Sequence, residues 1–165
     1  MKLSNLKICV IGLGYVGLPL ALEFSKIYRV FGYDINNQRI QQLKKENDIN
    51  NELNDKNLKK LKKIFLTSKI EDLKECNIYI IAVQTPINKK NQPILKYLIK
   101  ASKTAAEVLE KGNIVIYEST VFPGTTEEIC APIIEKFSGL RYNKEFYCGY
   151  SPERINPGDK KKTIR

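Results

Sequence analysis

The chain of 165 residues has no histidine and no tryptophan, and only one methionine and four cysteines. Without histidine it holds no Ser/His or Cys/His catalytic pair, and the usual zinc spacing is missing too. Cys9, Cys76, Cys130 and Cys148 lie far apart with no CxxC among them. Cys9 sits between Ile8 and Val10, and Cys148 follows Phe146-Tyr147, so both read as small buried residues and none of the four as a nucleophile. No metal site is expected. No apolar run approaches the roughly 20 residues of a membrane span. The opening MKLSNLKICVIG lacks the apolar stretch and small-residue cleavage site of a signal peptide. The protein is therefore read as cytoplasmic, with no membrane partner.

Acidic charge is also scarce: 28 Lys and Arg stand against 18 Asp and Glu, a net charge of +10. Such an excess suits nucleic acid or another anionic ligand, or else reflects a lysine-rich coding bias. The lysines favour the second reading. They scatter over helix faces and loops, with short runs at 59–60, 62–63 and 160–162, and no aromatics interleave to stack bases. No nucleic-acid partner is expected, though a general attraction for anionic nucleotides remains.

What is present is concentrated between Lys7 and Asp34. An apolar strand, Ile8 to Ile11, runs into Gly12-Leu13-Gly14-Tyr15-Val16-Gly17, then an apolar helix, then a second strand ending on Asp34. Gly12 permits the tight exit from the strand, Gly14 lets backbone approach a pyrophosphate, and Gly17 lets the helix pack close to the strand. The helix N-terminus offers amides and the positive end of its dipole to phosphates. Asp34 follows the turn by about 20 residues, where a carboxylate accepts both hydroxyls of an adenosine ribose. A glycine turn alone would be weak evidence. Strand, helix and acid agree here on a dinucleotide.

The rest of the chain alternates in the same way. Asn36 to about Lys45 reads as a helix, and residues 46–63 as an irregular link with one short helix and a loose stripe of Ile49, Leu53, Leu58 and Leu61. Strands are expected at Ile64–Thr67, Ile78–Val83, Ile114–Tyr117 and Phe146–Tyr150. One helical turn is expected at Glu71–Glu75. Longer helices are expected over Ile94–Lys111, ended by Gly112-Asn113, and from a cap at Thr125 or Thr126 through Phe137. This is the pattern of an α/β fold: a doubly wound parallel sheet, Rossmann-like, in three layers. Ligands bind such sheets at the strands' carboxyl ends. Gly12, Gly14, Asp34, Thr85, Thr120 and Glu153 fall there in turn. Each threonine by itself is as well explained as a turn or cap residue.

Ile11 to Pro19, Thr85-Pro86, Glu118-Ser119-Thr120 with Pro123-Gly124, and Ser151-Pro152-Glu153-Arg154 together resemble the N-terminal half of the UDP-glucose/GDP-mannose dehydrogenase family. The motifs stand in order over essentially the whole chain. The stretch from Tyr150 to Lys160 is most similar to the branch acting on UDP-N-acetylglucosamine or UDP-N-acetylgalactosamine. The resemblance implies oxidation of a sugar primary alcohol to a carboxylate with two NAD+, through an aldehyde, a thiohemiacetal and a thioester that is hydrolysed. It implies that Tyr15 and Val16 meet the pyrophosphate, Asp34 and Arg39 the adenosine ribose, and Thr85 and Thr120 the nicotinamide end. Thr120 would also hold a catalytic water. Glu153 would be a general acid or base, with Glu153 and Arg154 near the substrate; an ion pair with Arg154 or a neighbouring lysine explains Glu153 equally well. Asp34 without an adjacent arginine favours NAD over NADP, whereas Arg39 is able to reach a phosphate.

Two departures stand out. Gln84 replaces a proline or small apolar residue. The family's nucleophilic cysteine, catalytic lysine, central helix and C-terminal UDP-sugar domain have no counterpart here. Residues 1–165 are thus expected to be one dinucleotide-binding domain, a fragment inactive alone, of an enzyme that is a homodimer at full length. Other readings are a stand-alone NAD-binding regulatory module, a basic nucleic-acid binder, and a beta-hydroxyacid-type dehydrogenase. The last leaves residues 151–160 unexplained.

Overall fold

Strands buried on both faces need apolar residues at every position. The chain supplies them through most of β1 (Lys7–Ile11), β2 (Arg29–Tyr33), β4 (Ile78–Ile81) and β5 (Ile114–Tyr117), and β3 (Ile64–Thr67) lies at the edge with Phe65 exposed. A computed structural model describes residues 5–50 and 53–152, apart from the side chains of 55 and 56. In it these strands and β6 (Tyr147–Tyr150) form one six-stranded sheet in the order β3-β2-β1-β4-β5-β6. All five pairings are parallel, with Cys9 opposite both Phe31 and Tyr79. The helices are α1 (Gly17–Phe24), α2 (Asn37–Lys44), α3 (Asp55–Leu58), α4 (Lys96–Ala106) and α5 (Ala131–Ser138).

The two-residue period of the strands divides the core into two layers. Ile8, Val10, Val30 and Ile80 pack with Leu18, Ala21 and Leu22 of α1 and Ile40 and Leu43 of α2. Cys9, Ile11, Phe31, Tyr79, Ile81, Val115 and Tyr117 pack on the other face with Leu98, Ala101 and Ala105 of α4 and Ile134 of α5. Helices thus cover both faces, giving three layers. The order turns back on itself between β1 and β4, and there the loops after the two strands part to leave a crevice.

Three details differ from the sequence expectation. α4 ends at Ala106, not Lys111, because Val108 and Leu109 turn into the core and the Gly112 N–H is drawn to the Glu145 carbonyl at 2.6 Å. The helix after Gly124 opens as a π-helix, Thr125–Cys130, and becomes α-helical from Ala131. Neither threonine caps it; Thr125 Oγ1 donates to the Phe122 carbonyl. Pro132 has no N–H to return to the Glu128 carbonyl, which suits a change of register at that point. Of the stripe in the link, Leu61 is buried, but Ile49 is 60% exposed.

Candidate dinucleotide site

The three glycines of the first turn do different work. Gly12 leaves β1 with φ +96°, and a Cβ there would lie 2.7 Å from the Ala82 carbonyl oxygen. A Cβ on Gly17 would lie 1.9 Å from the Gly12 oxygen, so α1 meets the strand at a distance only glycine allows. Gly14 has no atom within 4 Å of where its Cβ would be. Nothing in the fold forbids a side chain there; it would project into open space at the cleft wall. Behind the turn, α1 starts without a side-chain cap and without an acid in its first turn. Its amide end therefore remains electrostatically suited to an anion.

The cleft at this point encloses about 590 Å³ and is lined by Gly12, Leu13, Gly14, Tyr15 and Val16 from the turn, Asp34 to Asn36 beyond β2, Val83 to Thr85 beyond β4, and Glu118 to Thr120 beyond β5. Asp34 is fixed before any ligand arrives. Its Oδ2 accepts the Leu13 N–H at 2.9 Å and its Oδ1 the Asn36 N–H at 2.9 Å. Each oxygen retains a lone pair for a hydroxyl donor. Asn36 in turn caps α2 by accepting from the Gln38 N–H. Arg39 does not line the cleft. It is buried behind the turn, its Nε donating to the Leu13 carbonyl at 3.1 Å and its Nη1 to Asp48 Oδ1 at 2.6 Å.

The far end is tied by two hydroxyls that cross in opposite directions. Thr85 Oγ1 donates to the Thr120 carbonyl at 2.6 Å, and Ser119 Oγ donates to the Val83 carbonyl at 2.8 Å. With its proton committed, Thr85 Oγ1 faces the cleft as an acceptor. Gln84 also lines the cleft. Glu153 and Arg154 lie outside the described residues.

Sequence reasoning missed one wall. Tyr97, Lys100, Ala101 and Thr104 of α4 line the cleft together with Tyr33 and Asn50. The signal is the helical spacing of 97, 100, 101 and 104, which puts all four on one face of α4. Three of the four thiols are not activated by their surroundings. Burial raises Cys9 well above its ordinary range and raises Cys130, and it pushes Cys148 up to about 12. Among the described residues no group of three or more potential metal ligands comes together. No helix there is long and apolar enough to cross a membrane.

A glycine turn with room at Gly14, a helix amide end and a braced carboxylate beyond β2 fit a dinucleotide. Comparison with known proteins says which. The NAD-binding-domain model of the UDP-glucose/GDP-mannose dehydrogenase family matches residues 6–164. The chain belongs to this family. It is 56% identical over 159 residues to the UDP-N-acetyl-D-glucosamine 6-dehydrogenase of Salmonella typhi, covering 96% of this chain and 37% of that protein. It is 52% identical over 162 residues to the enzyme of the same name from Pseudomonas aeruginosa, covering 98% and 38%. The solved structure of UDP-D-ManNAc dehydrogenase from Pyrococcus horikoshii superposes with a TM-score of 0.84 at 43% identity, covering 93% of this chain and 37% of that one. The family's cofactor, NAD, is therefore the dinucleotide of this domain, and the sheet is that of the nucleotide-sugar dehydrogenases. The chain spans under two fifths of the length of these relatives.

Proposed function

We propose that this chain is the cofactor-binding part of a longer, homodimeric enzyme that oxidises the 6-hydroxymethyl group of a UDP-N-acetyl-hexosamine to a carboxylate for surface polysaccharide synthesis. The observation that carries the reading is the 56% identity, over 96% of the chain, to a protein named UDP-N-acetyl-D-glucosamine 6-dehydrogenase. NAD+, when bound, takes up the hydrides, two molecules per sugar. The chain's own residues bind and orient. The backbone of Gly12, Gly14, Tyr15, Val16 and Gly17 and the amide end of α1 hold the pyrophosphate. Asp34 accepts the ribose hydroxyls. Thr85, an acceptor by virtue of its bond to Thr120, suits the amide N–H of a nicotinamide. Thr120 holds a water, Glu153 moves a proton to or from it, and Glu153 with Arg154 borders the sugar.

The nucleophile and the UDP site belong to the remainder of the enzyme, so residues 1–165 alone bind NAD without turnover. The full-length protein is expected to produce two NADH per UDP-N-acetyl-hexosamine consumed, and this chain none, followed by absorbance at saturating NAD+. No turnover of any UDP-sugar by the full-length protein would overturn the reading. If NAD binding survived that result, a regulatory NAD-binding module would remain.

A further inference from the structure

Gln84 is a feature of the cofactor motifs that the proposed function leaves without a role. It lies in the open stretch after β4, where residues 82–86 belong to no helix or strand. Such a stretch is ordinarily free to shift, but this one is fastened on both sides of Gln84. The Val83 carbonyl accepts from Ser119 Oγ at 2.8 Å, and Thr85 Oγ1 donates to the Thr120 carbonyl at 2.6 Å. Just upstream, the Ala82 N–H donates to the Ile11 carbonyl at 2.9 Å, and the Ala82 carbonyl oxygen would lie 2.7 Å from a Cβ on Gly12. The main chain at Gln84 is therefore wedged between the glycine turn on one side and the loop after β5 on the other. Its side chain is exposed and lines the cleft. Among the described residues that side chain has no hydrogen-bond partner.

Its place decides what the side chain meets. The glycine turn takes the pyrophosphate, Thr85 and Thr120 take the nicotinamide end, and the group that joins the two is the second ribose. We propose that Gln84 is a specificity-determining residue for the cofactor, reading the 2′,3′-diol of the nicotinamide-side ribose as Asp34 reads that of the adenosine. The inference rests on the NAD assignment and on the cofactor orientation given under the proposed function. A vicinal diol both donates and accepts, and a carboxamide offers an acceptor and two donors in one plane, so the two match in both directions. The amide is also neutral. A carboxylate at this position would stand beside the pyrophosphate and repel it. Because the backbone is fastened before any ligand arrives, binding has to order only the rotamers of the side chain itself.

The test is calorimetric titration of the intact chain, as wild type, Gln84→Leu and Gln84→Ala, with NAD+, ADP-ribose and ADP. The first two ligands carry the second ribose; ADP carries the adenosine and both phosphates without it. Each variant is expected to bind NAD+ and ADP-ribose about tenfold more weakly, the worth of one or two neutral hydrogen bonds. Each is expected to bind ADP as the wild type does, which also checks that the site is intact. Since the side chain is exposed, the melting temperature of the free chain is expected to stay unchanged. Equal weakening of all three ligands would mean that the substitution disturbs the loop or the seat of the pyrophosphate. Weakening of NAD+ alone would mean that the amide meets the nicotinamide ring. Either result overturns the proposal, as does unchanged binding of all three. A wild-type chain that bound none of the ligands would overturn the cofactor assignment and this inference together; variants that match a binding wild type overturn this inference alone.

Discussion

Gly14 and Gly17 have the same side chain and opposite reasons for it, and substitution separates them. An alanine Cβ at Gly17 would sit 1.9 Å from the Gly12 oxygen, a backbone atom that cannot rotate aside. The helix-propensity gain of about 1 kcal/mol for Gly→Ala is outweighed by the overpacking, which costs at least 1–3 kcal/mol, roughly, in a filled core. Gly17→Ala is expected to lower the urea midpoint sharply. At Gly14 the added methyl meets nothing within 4 Å, so Gly14→Ala should unfold at nearly the wild-type midpoint. The same methyl occupies the approach of the pyrophosphate, and NAD affinity should fall by about tenfold or more, some 1.4 kcal/mol. Reversed results in the two assays would show that the turn is assigned backwards. Sequence alone could rank these glycines by motif, because each constraint acts within a few residues. It could not reveal the Arg39–Asp48 pair, since nothing local tells a buried arginine from the many exposed cations around it.

Elements were legible where their burial was symmetric and obscure where a distant contact set their ends. β1, β2 and β4 show in the sequence because both faces of each strand are filled. The end of α4 does not, because it depends on the Glu145 carbonyl taking the Gly112 N–H across the sheet's edge. The same residue anchors the loop before β6 through its side chain. Glu145 Oε1 lies 2.8 Å from Lys111 Nζ, and its Oε2 accepts the Arg141 N–H at 3.0 Å. The Lys111 hydrogen bond, followed by that from the Arg141 backbone, lowers its carboxyl from an ordinary 4.5 to about 2. A group depressed in the folded state adds stability above its unfolded pKa and loses it as pH falls through the folded one. The stabilisation from Glu145 is thus complete above about pH 4.5 and gone below about pH 2. The urea midpoints of wild type and Glu145→Gln should differ at neutral pH and converge as the pH is lowered across that window. A gap of constant size would mean that the charge contributes nothing and only the shape of the side chain matters.

At the scale of the whole molecule, every group assigned to the cofactor sits on one edge of one sheet, and of the chemistry proposed beyond cofactor binding only the water held by Thr120 has a counterpart among the described residues. The Cys9, Cys130 and Cys148 thiols are raised by burial, the far end of the cleft is closed by neutral hydroxyls, and the charged groups lining it are Asp34, Lys100 and Glu118. Such a domain is expected to give ligand linkage without catalysis. A ligand that binds only the folded state stabilises it by about 2.7 kcal/mol at a hundredfold excess over its Kd. In a chain of this size that corresponds to roughly 5–11 °C in melting temperature. NAD+ at that excess should raise the melting temperature by this amount, and NADP+ at the same concentration by clearly less, because its 2′-phosphate meets Asp34. Asp34→Ala should reduce the NAD+ shift, since it removes both the ribose acceptor and the brace on Leu13. Adding UDP-N-acetylglucosamine to the NAD-saturated chain should yield no NADH by absorbance. Absence of any NAD-dependent shift would detach the cleft from the cofactor, and NADH formed by this chain alone would show that these residues bind and oxidise the sugar without the remainder of the enzyme.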